Sequence, residues 1–101
     1  MKNKKLLNYS DYLQLEKILS GQELMSAKRG TPAHDEMLFI IVHQVYELWF
    51  KQILHELDSV ITIFKQESII ESDVSFVVLR LQRIIEIQKI LIDQILSLIH
   101  I

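Results

Sequence analysis

The chain is 101 residues long, half of them hydrophobic, with 31 Leu or Ile, two glycines, one proline and 24% charged residues. This excludes a disordered tail and fits one small domain or a piece of a larger one. Eleven Lys and Arg against 13 Asp and Glu give a net charge of -2, with no basic cluster beyond Lys2, Lys4 and Lys5, so nucleic acid is not an expected partner.

Both glycines and the proline fall early, at Gly21, Gly30 and Pro32, which predicts an almost wholly helical chain beyond that point. The first helix is predicted from Ser10, as N-cap, to Leu19, with Tyr12, Leu15 and Leu19 on one stripe and Gly21 just past the end. Residues 20–33 read as a connector, with a short turn at Gln22 to Met25, so that 1–33 form an N-terminal segment.

Thr31-Pro32, followed by Asp35 and Glu36, signals the start of a long central helix over 34–65. Phe39, Val42, Tyr46, Trp49, Ile53, Leu57, Val60 and Phe64 descend one face in three- and four-residue steps. A second apolar row, Leu38, Ile41, Val45 and Leu48, makes the first half apolar nearly all round.

After a turn at Gln66 to Glu71, with Ser68 and Ser72 as capping candidates, a second long helix is predicted over 72–98. Its stripe is Val74, Val77, Val78, Leu81, Ile84, Ile85, Leu91, Ile92 and Ile95. Arg80, Arg83, Glu86, Lys89 and Asp93 form a solvated face, on which Arg83 is expected to meet Glu86 and Lys89 to meet Asp93. A 32-residue helix is roughly 48 Å long, and one antiparallel neighbour covers only one of its faces. The expected fold is therefore all-α, with long antiparallel helices in a single incomplete domain that belongs to an oligomer or to a larger helical protein.

The absence of cysteine removes disulfides, thiolate metal sites and cysteine nucleophiles. Only Leu6 and Leu7 follow the basic N-terminus before Asn8, too short for a signal peptide. No apolar run reaches the ~18 residues of a membrane span. A cytoplasmic chain with no membrane partner is expected.

Chemistry must come from His34, His43, His55, His100, the carboxylates and the aromatic residues. No His-Glu-x-x-His or Glu-x-x-His pattern occurs. His43 with Glu47 and His55 with Asp58 are the nearest metal-like pairs, and hydrogen-bonded neighbours explain them better than a metal does. No residue is assigned as a metal ligand. Gly-rich turns for a nucleophile or a phosphate are also missing. His43 sits among bulky apolar residues, with Phe39 one turn before it and Tyr46 and Glu47 one turn after. From composition alone, a core histidine satisfied by a neighbour is the better reading.

The run from His34 to Val60, with Phe39-Ile40-Ile41-Val42-His43-Gln44-Val45-Tyr46-Glu47-Leu48-Trp49 at its centre, resembles the signature helix of the tryptophan 2,3-dioxygenase family. Tyr9-Ser10-Asp11-Tyr12-Leu13 resembles the family's N-terminal Tyr-x-x-Tyr-Leu segment, and Arg83 to Gln94 resembles its next long helix. The likeness runs without a gap over about residues 8–95.

The resemblance implies the N-terminal part of an all-helical haem b dioxygenase. Such enzymes are typically homotetramers that add both atoms of O2 across the indole C2–C3 bond of L-tryptophan, giving N-formylkynurenine in the kynurenine route. It implies that His43 is catalytic, hydrogen-bonding the indole N–H, and that Phe39, Ile40, Ile41 and Val42 line the substrate wall with it. Tyr9, Tyr12 and Leu13 would reach a neighbouring subunit's active site, although as amphipathic core residues they read equally well. The family's axial histidine and carboxylate-binding arginine have no match here, so the isolated chain is expected to be inactive. Leu96 to Ile101 matches one reading frame of a sequencing-library adapter and is expected to be non-native. The alternative is a non-catalytic assembly or regulatory module derived from the family.

Overall fold

Gln14 divides the first predicted helix in two. Its backbone is left-handed, at φ 56 and ψ 41, between α1 (Tyr9–Tyr12) and α2 (Leu15–Leu19). In the computed structural model, which describes residues 8–99, α1 is capped two residues earlier than predicted. Asn8, not Ser10, is the N-cap, its side chain accepting the Asp11 N–H at 2.9 Å. The stripe that suggested one continuous helix is mostly in solvent, with Tyr12 70% and Leu19 71% exposed, so burial does little to favour continuation. Lys2, Lys4, Lys5, Leu6, Leu7, His100 and Ile101 lie outside the described residues.

The connector holds a helical turn, α3 (Met25–Lys28), rather than the predicted turn at Gln22 to Met25. It ends on Gly30 at φ +82. The Gly30 N–H donates to Ala27 O at 3.1 Å and the Thr31 N–H to Ser26 O at 3.0 Å, closing α3 with the paired bonds of a left-handed glycine cap.

The two long helices are α4 (Glu36–Phe64) and α5 (Glu71–Ile99), and among the described residues there is no strand. Pro32 stands ahead of α4, not in its first turn. α5 is capped by neither Ser68 nor Ser72; the Ile70 N–H donates to Asp73 Oδ2 at 3.2 Å. No helix among the described residues is long and apolar enough to cross a membrane.

The described residues form two compact units divided between Val42 and His43. In the second, α4 and α5 pair antiparallel. Tyr46 donates its hydroxyl to Leu91 O at 3.3 Å, Glu56 meets Arg83 at 3.5 Å, and Val60 and Ile63 cluster with Val77. Moving toward the C-terminus on α4 thus moves toward the N-terminus on α5. The seam of α5 is Val77, Ile84, Ile87 and Leu91, a strict alternation of three- and four-residue steps from Val77 once half-buried Arg80 is included.

This seam is narrower than the predicted stripe. Val74, Val78, Leu81, Ile85, Ile92 and Ile95 are exposed, as are Phe39 and Phe64 on α4, whereas Glu56, Ile63 and Ile87 are buried. A two-helix contact buries only a two-in-seven seam, and both helices carry wider apolar faces than that. The charge pairs differ for the same reason. Glu86 pairs with Lys89 at 3.0 Å, while Arg83 reaches across the seam to Glu56.

Candidate functional site

Residues 39–42 end the first unit and His43 begins the second, all on the continuous helix α4. Phe39 is 64% exposed and Ile41 41%, while Ile40 and Val42 are half-buried. His43 is exposed on α4, not the core histidine that composition alone suggested. The second unit turns Tyr46 away toward α5, half-buried, with its ring edge-on to Phe50 at 6.4 Å and 63°.

Tyr9 and Tyr12 lie on α1, 75% and 70% exposed, and half-buried Leu13 is its C-cap. Rings so little covered are not core residues of their own unit.

Two clusters were not legible as sites in the sequence. The first closes the connector onto the start of α4. Glu36 Oε2 accepts the Met25 N–H at 3.1 Å, and Oε1 accepts the Ser26 N–H at 3.0 Å together with the Ser26 hydroxyl. The Ser26 hydroxyl oxygen in turn accepts the Ala33 N–H at 2.8 Å, and Ala33 O accepts the Glu36 N–H at 3.2 Å. The Ser26 hydroxyl, then its backbone N–H, hold the Glu36 carboxyl below the usual carboxylate range, with Met25 N–H and Arg29 adding to the effect. In sequence Glu36 looked only like an acid suited to a helix N-terminus; its real work is to cap α3.

The second cluster lies in the hairpin seam. Glu56, 5% exposed, accepts from Gln52 Nε2 at 3.0 Å and pairs with Arg83. It borders an open groove of about 420 Å³ lined by Trp49, Leu79, Ile87 and Ile90 among others. Trp49, Gln52, Glu56, Val60 and Ile63 recur at three- and four-residue steps, a spacing that could have revealed Glu56 as a seam position.

Among the described residues no group of three or more His, Cys, Asp or Glu side chains is placed to hold a metal ion. His43 with Glu47 and His55 with Asp58 remain neighbours along α4.

These elements define an all-α chain whose distinctive side chains are presented from one long helix. The family model described as tryptophan 2,3-dioxygenase matches residues 2–100, and the chain belongs to that family. The tryptophan 2,3-dioxygenase of Alteromonas mediterranea is 64% identical over 87 residues, covering 86% of this chain and 24% of that protein. That of Bdellovibrio bacteriovorus is 52% identical over 89 residues, 88% of this chain and 25% of that protein. That of Rattus norvegicus is 55% identical over 89 residues, 87% of this chain and 22% of that protein. The chain spans about a quarter of the length of the curated relatives it matches.

Proposed function

We propose that this chain supplies the substrate-facing helix of a cytoplasmic, homotetrameric haem dioxygenase that converts L-tryptophan and O2 to N-formylkynurenine. The observation that carries the reading is the 64% identity to a tryptophan 2,3-dioxygenase across 86% of the chain.

The residues fit one wall of a haem site. Leu38, Phe39 and Ile41 present uncovered apolar surface of the kind a porphyrin face and an indole ring would bury. His43 offers an exposed imidazole beside that stretch in sequence. His43 is read as a distal residue, and neither His55 nor His100 matches the family's axial ligand, so no axial ligand is named in this chain. Haem, when bound, supplies the iron at which O2 is activated.

The chain's own residues would bind and orient. Phe39 would pack on the substrate ring while Ile40, Ile41 and Val42 keep water from that wall. The His43 imidazole would accept a hydrogen bond from the indole N–H and so fix which edge of the ring is presented. Indole is a far weaker acid than imidazolium, so the proton stays on indole nitrogen and His43 orients more than it deprotonates. Tyr9, Tyr12 and Leu13 would close the site of a neighbouring subunit, which accounts for their exposure in a single chain.

The test is to express the complete enzyme carrying this chain, load it with haem and follow N-formylkynurenine formation from L-tryptophan in air. Stoichiometric turnover of O2 and tryptophan is expected. A folded, haem-loaded enzyme that forms no product would overturn the reading.

A further inference from the structure

We propose that Ser26 and Glu36 are positioning residues for the substrate wall: by closing the connector onto the first turn of α4 they set where Phe39 to Val42 stand. The role rests on the reading of that wall given above; the clamp itself is independent of it.

The bonds form a closed circuit. The Ser26 hydroxyl donates to the Glu36 carboxylate and accepts from the Ala33 N–H, and Ala33 returns to Glu36 through its carbonyl. Glu36 also takes the Met25 and Ser26 N–H groups, two of the orphan donors at the start of α3. A single carboxylate therefore caps one helix while it sits in the first turn of the next. One turn further on, the Phe39 N–H makes its helical bond to Asp35 O at 3.2 Å.

Packing does not do this job. Met37, Leu38, Phe39 and Ile41 are all 39% exposed or more, so few apolar contacts fix the start of α4 within its unit. Where burial is slight, hydrogen bonds to a charged acceptor decide the local geometry. Ser26 and Glu36 are themselves half-buried, which limits competition from water. An open groove of about 590 Å³, lined by Leu24, Pro32 and Ala33 of the connector together with Met37, Leu38 and Ile41 of α4, leaves these residues short of a packed contact. Loss of the clamp frees the connector, and the wall-bearing turn is then held only by its own helical bonds.

Ser26→Ala removes the relay, Ser26→Thr keeps a hydroxyl, and Glu36→Gln leaves one carbonyl oxygen for three donors. Hydrogen exchange on the 101-residue chain should show faster exchange at Met25, Ser26 and Ala33 in Ser26→Ala and Glu36→Gln, with Ser26→Thr close to wild type. In the complete enzyme, Ser26→Ala should lower kcat/KM for L-tryptophan by about ten- to a hundredfold, as misplaced substrate contacts do. Haem content and helicity should be unchanged, and Ser26→Thr should restore the rate. Faster exchange with unaltered kinetics would reduce the clamp to a structural tie and overturn the proposal, as would unaltered exchange. A wild-type enzyme that does not turn over tryptophan would instead sink the wall reading, and the positioning role with it.

Discussion

Glu56 and Arg83 meet across the α4–α5 seam at 3.5 Å, with the carboxylate side chain 6% exposed and the guanidinium side chain 54% exposed. The pair is lopsided: a buried anion is neutralised by a cation that remains half in water. Its value is therefore less what the pair adds than what a lone Glu56 would cost.

Arg83→Ala leaves Glu56 with the Gln52 amide as its side-chain partner and should destabilise the hairpin by about 1–2 kcal/mol, below the figure for a fully buried pair because Arg83 is solvent-screened. Adding Glu56→Gln to that variant should recover part of the loss, since the uncompensated charge is gone. Urea unfolding followed by Trp49, the one tryptophan, which lines the same groove, measures both. Equal stability of wild type and Arg83→Ala would show the pair to be idle.

Glu36 gives the connector a pH dependence of definite sign. Its carboxyl is held below the usual range in the folded chain by Ser26, so the folded state binds this proton less readily than the unfolded one. The clamp's contribution is fully present above the ordinary carboxylate range. It declines as pH falls through that range and is gone below the lowered value of Glu36 itself. The Met25 and Ser26 amide resonances should hold steady down to about pH 5 and move together in more acid solution. Glu36→Gln should remove that movement; amides that titrate identically in the variant would locate the proton elsewhere.

The long helices were legible because their signals are distributed. Apolar residues repeated at three- and four-residue steps along a whole helix cannot be cancelled by one local event, and α4 and α5 fall where that periodicity put them. The first helix failed at one residue, Gln14, whose left-handed backbone no propensity announces. The core was half legible. Val60, Val77, Ile84 and Leu91 lay on the predicted stripes, but a run such as Val77-Val78 or Ile84-Ile85 offers two adjacent seams, and only the partner helix decides which is covered. The Ser26–Glu36 clamp and the pairing of Glu56 with Arg83 were invisible because each joins groups ten or more residues apart in sequence, although spacing alone marks Glu56 as a seam position. The roles proposed for Phe39 and His43 come only through family likeness: periodicity puts Phe39 on a core stripe, yet it is 64% exposed, and it says nothing of His43.

The uncovered seam bears on association. Val74, Val78, Leu81, Ile85, Ile92 and Ile95 are 40–57% exposed along α5, and Leu38, Phe39, Ile41 and Leu48 are exposed on α4. Each such side chain left in water forfeits part of the ~1.5–3 kcal/mol that burial would bring, against a total of ~5–15 kcal/mol for a small domain. The 101-residue chain should therefore self-associate at micromolar concentration or melt without a sharp transition, while keeping high helix content. Sedimentation velocity and circular dichroism together decide this; a compact monomer with a cooperative melt would contradict it.

His43→Ala in the complete enzyme separates orientation from proton abstraction. If the imidazole only accepts a hydrogen bond from the indole N–H, its removal costs one such bond to the reacting ring, and kcat/KM should fall about ten- to a hundredfold. The haem spectrum should be retained, because His43 is not the residue this reading gives to the iron. Nitrogen-methylated tryptophan, which has no N–H to donate, should react with wild type and His43→Ala at rates closer to one another than those for tryptophan. An obligatory base would behave differently: the variant would lose all turnover with haem and fold intact, and the methylated substrate would be inert with both enzymes.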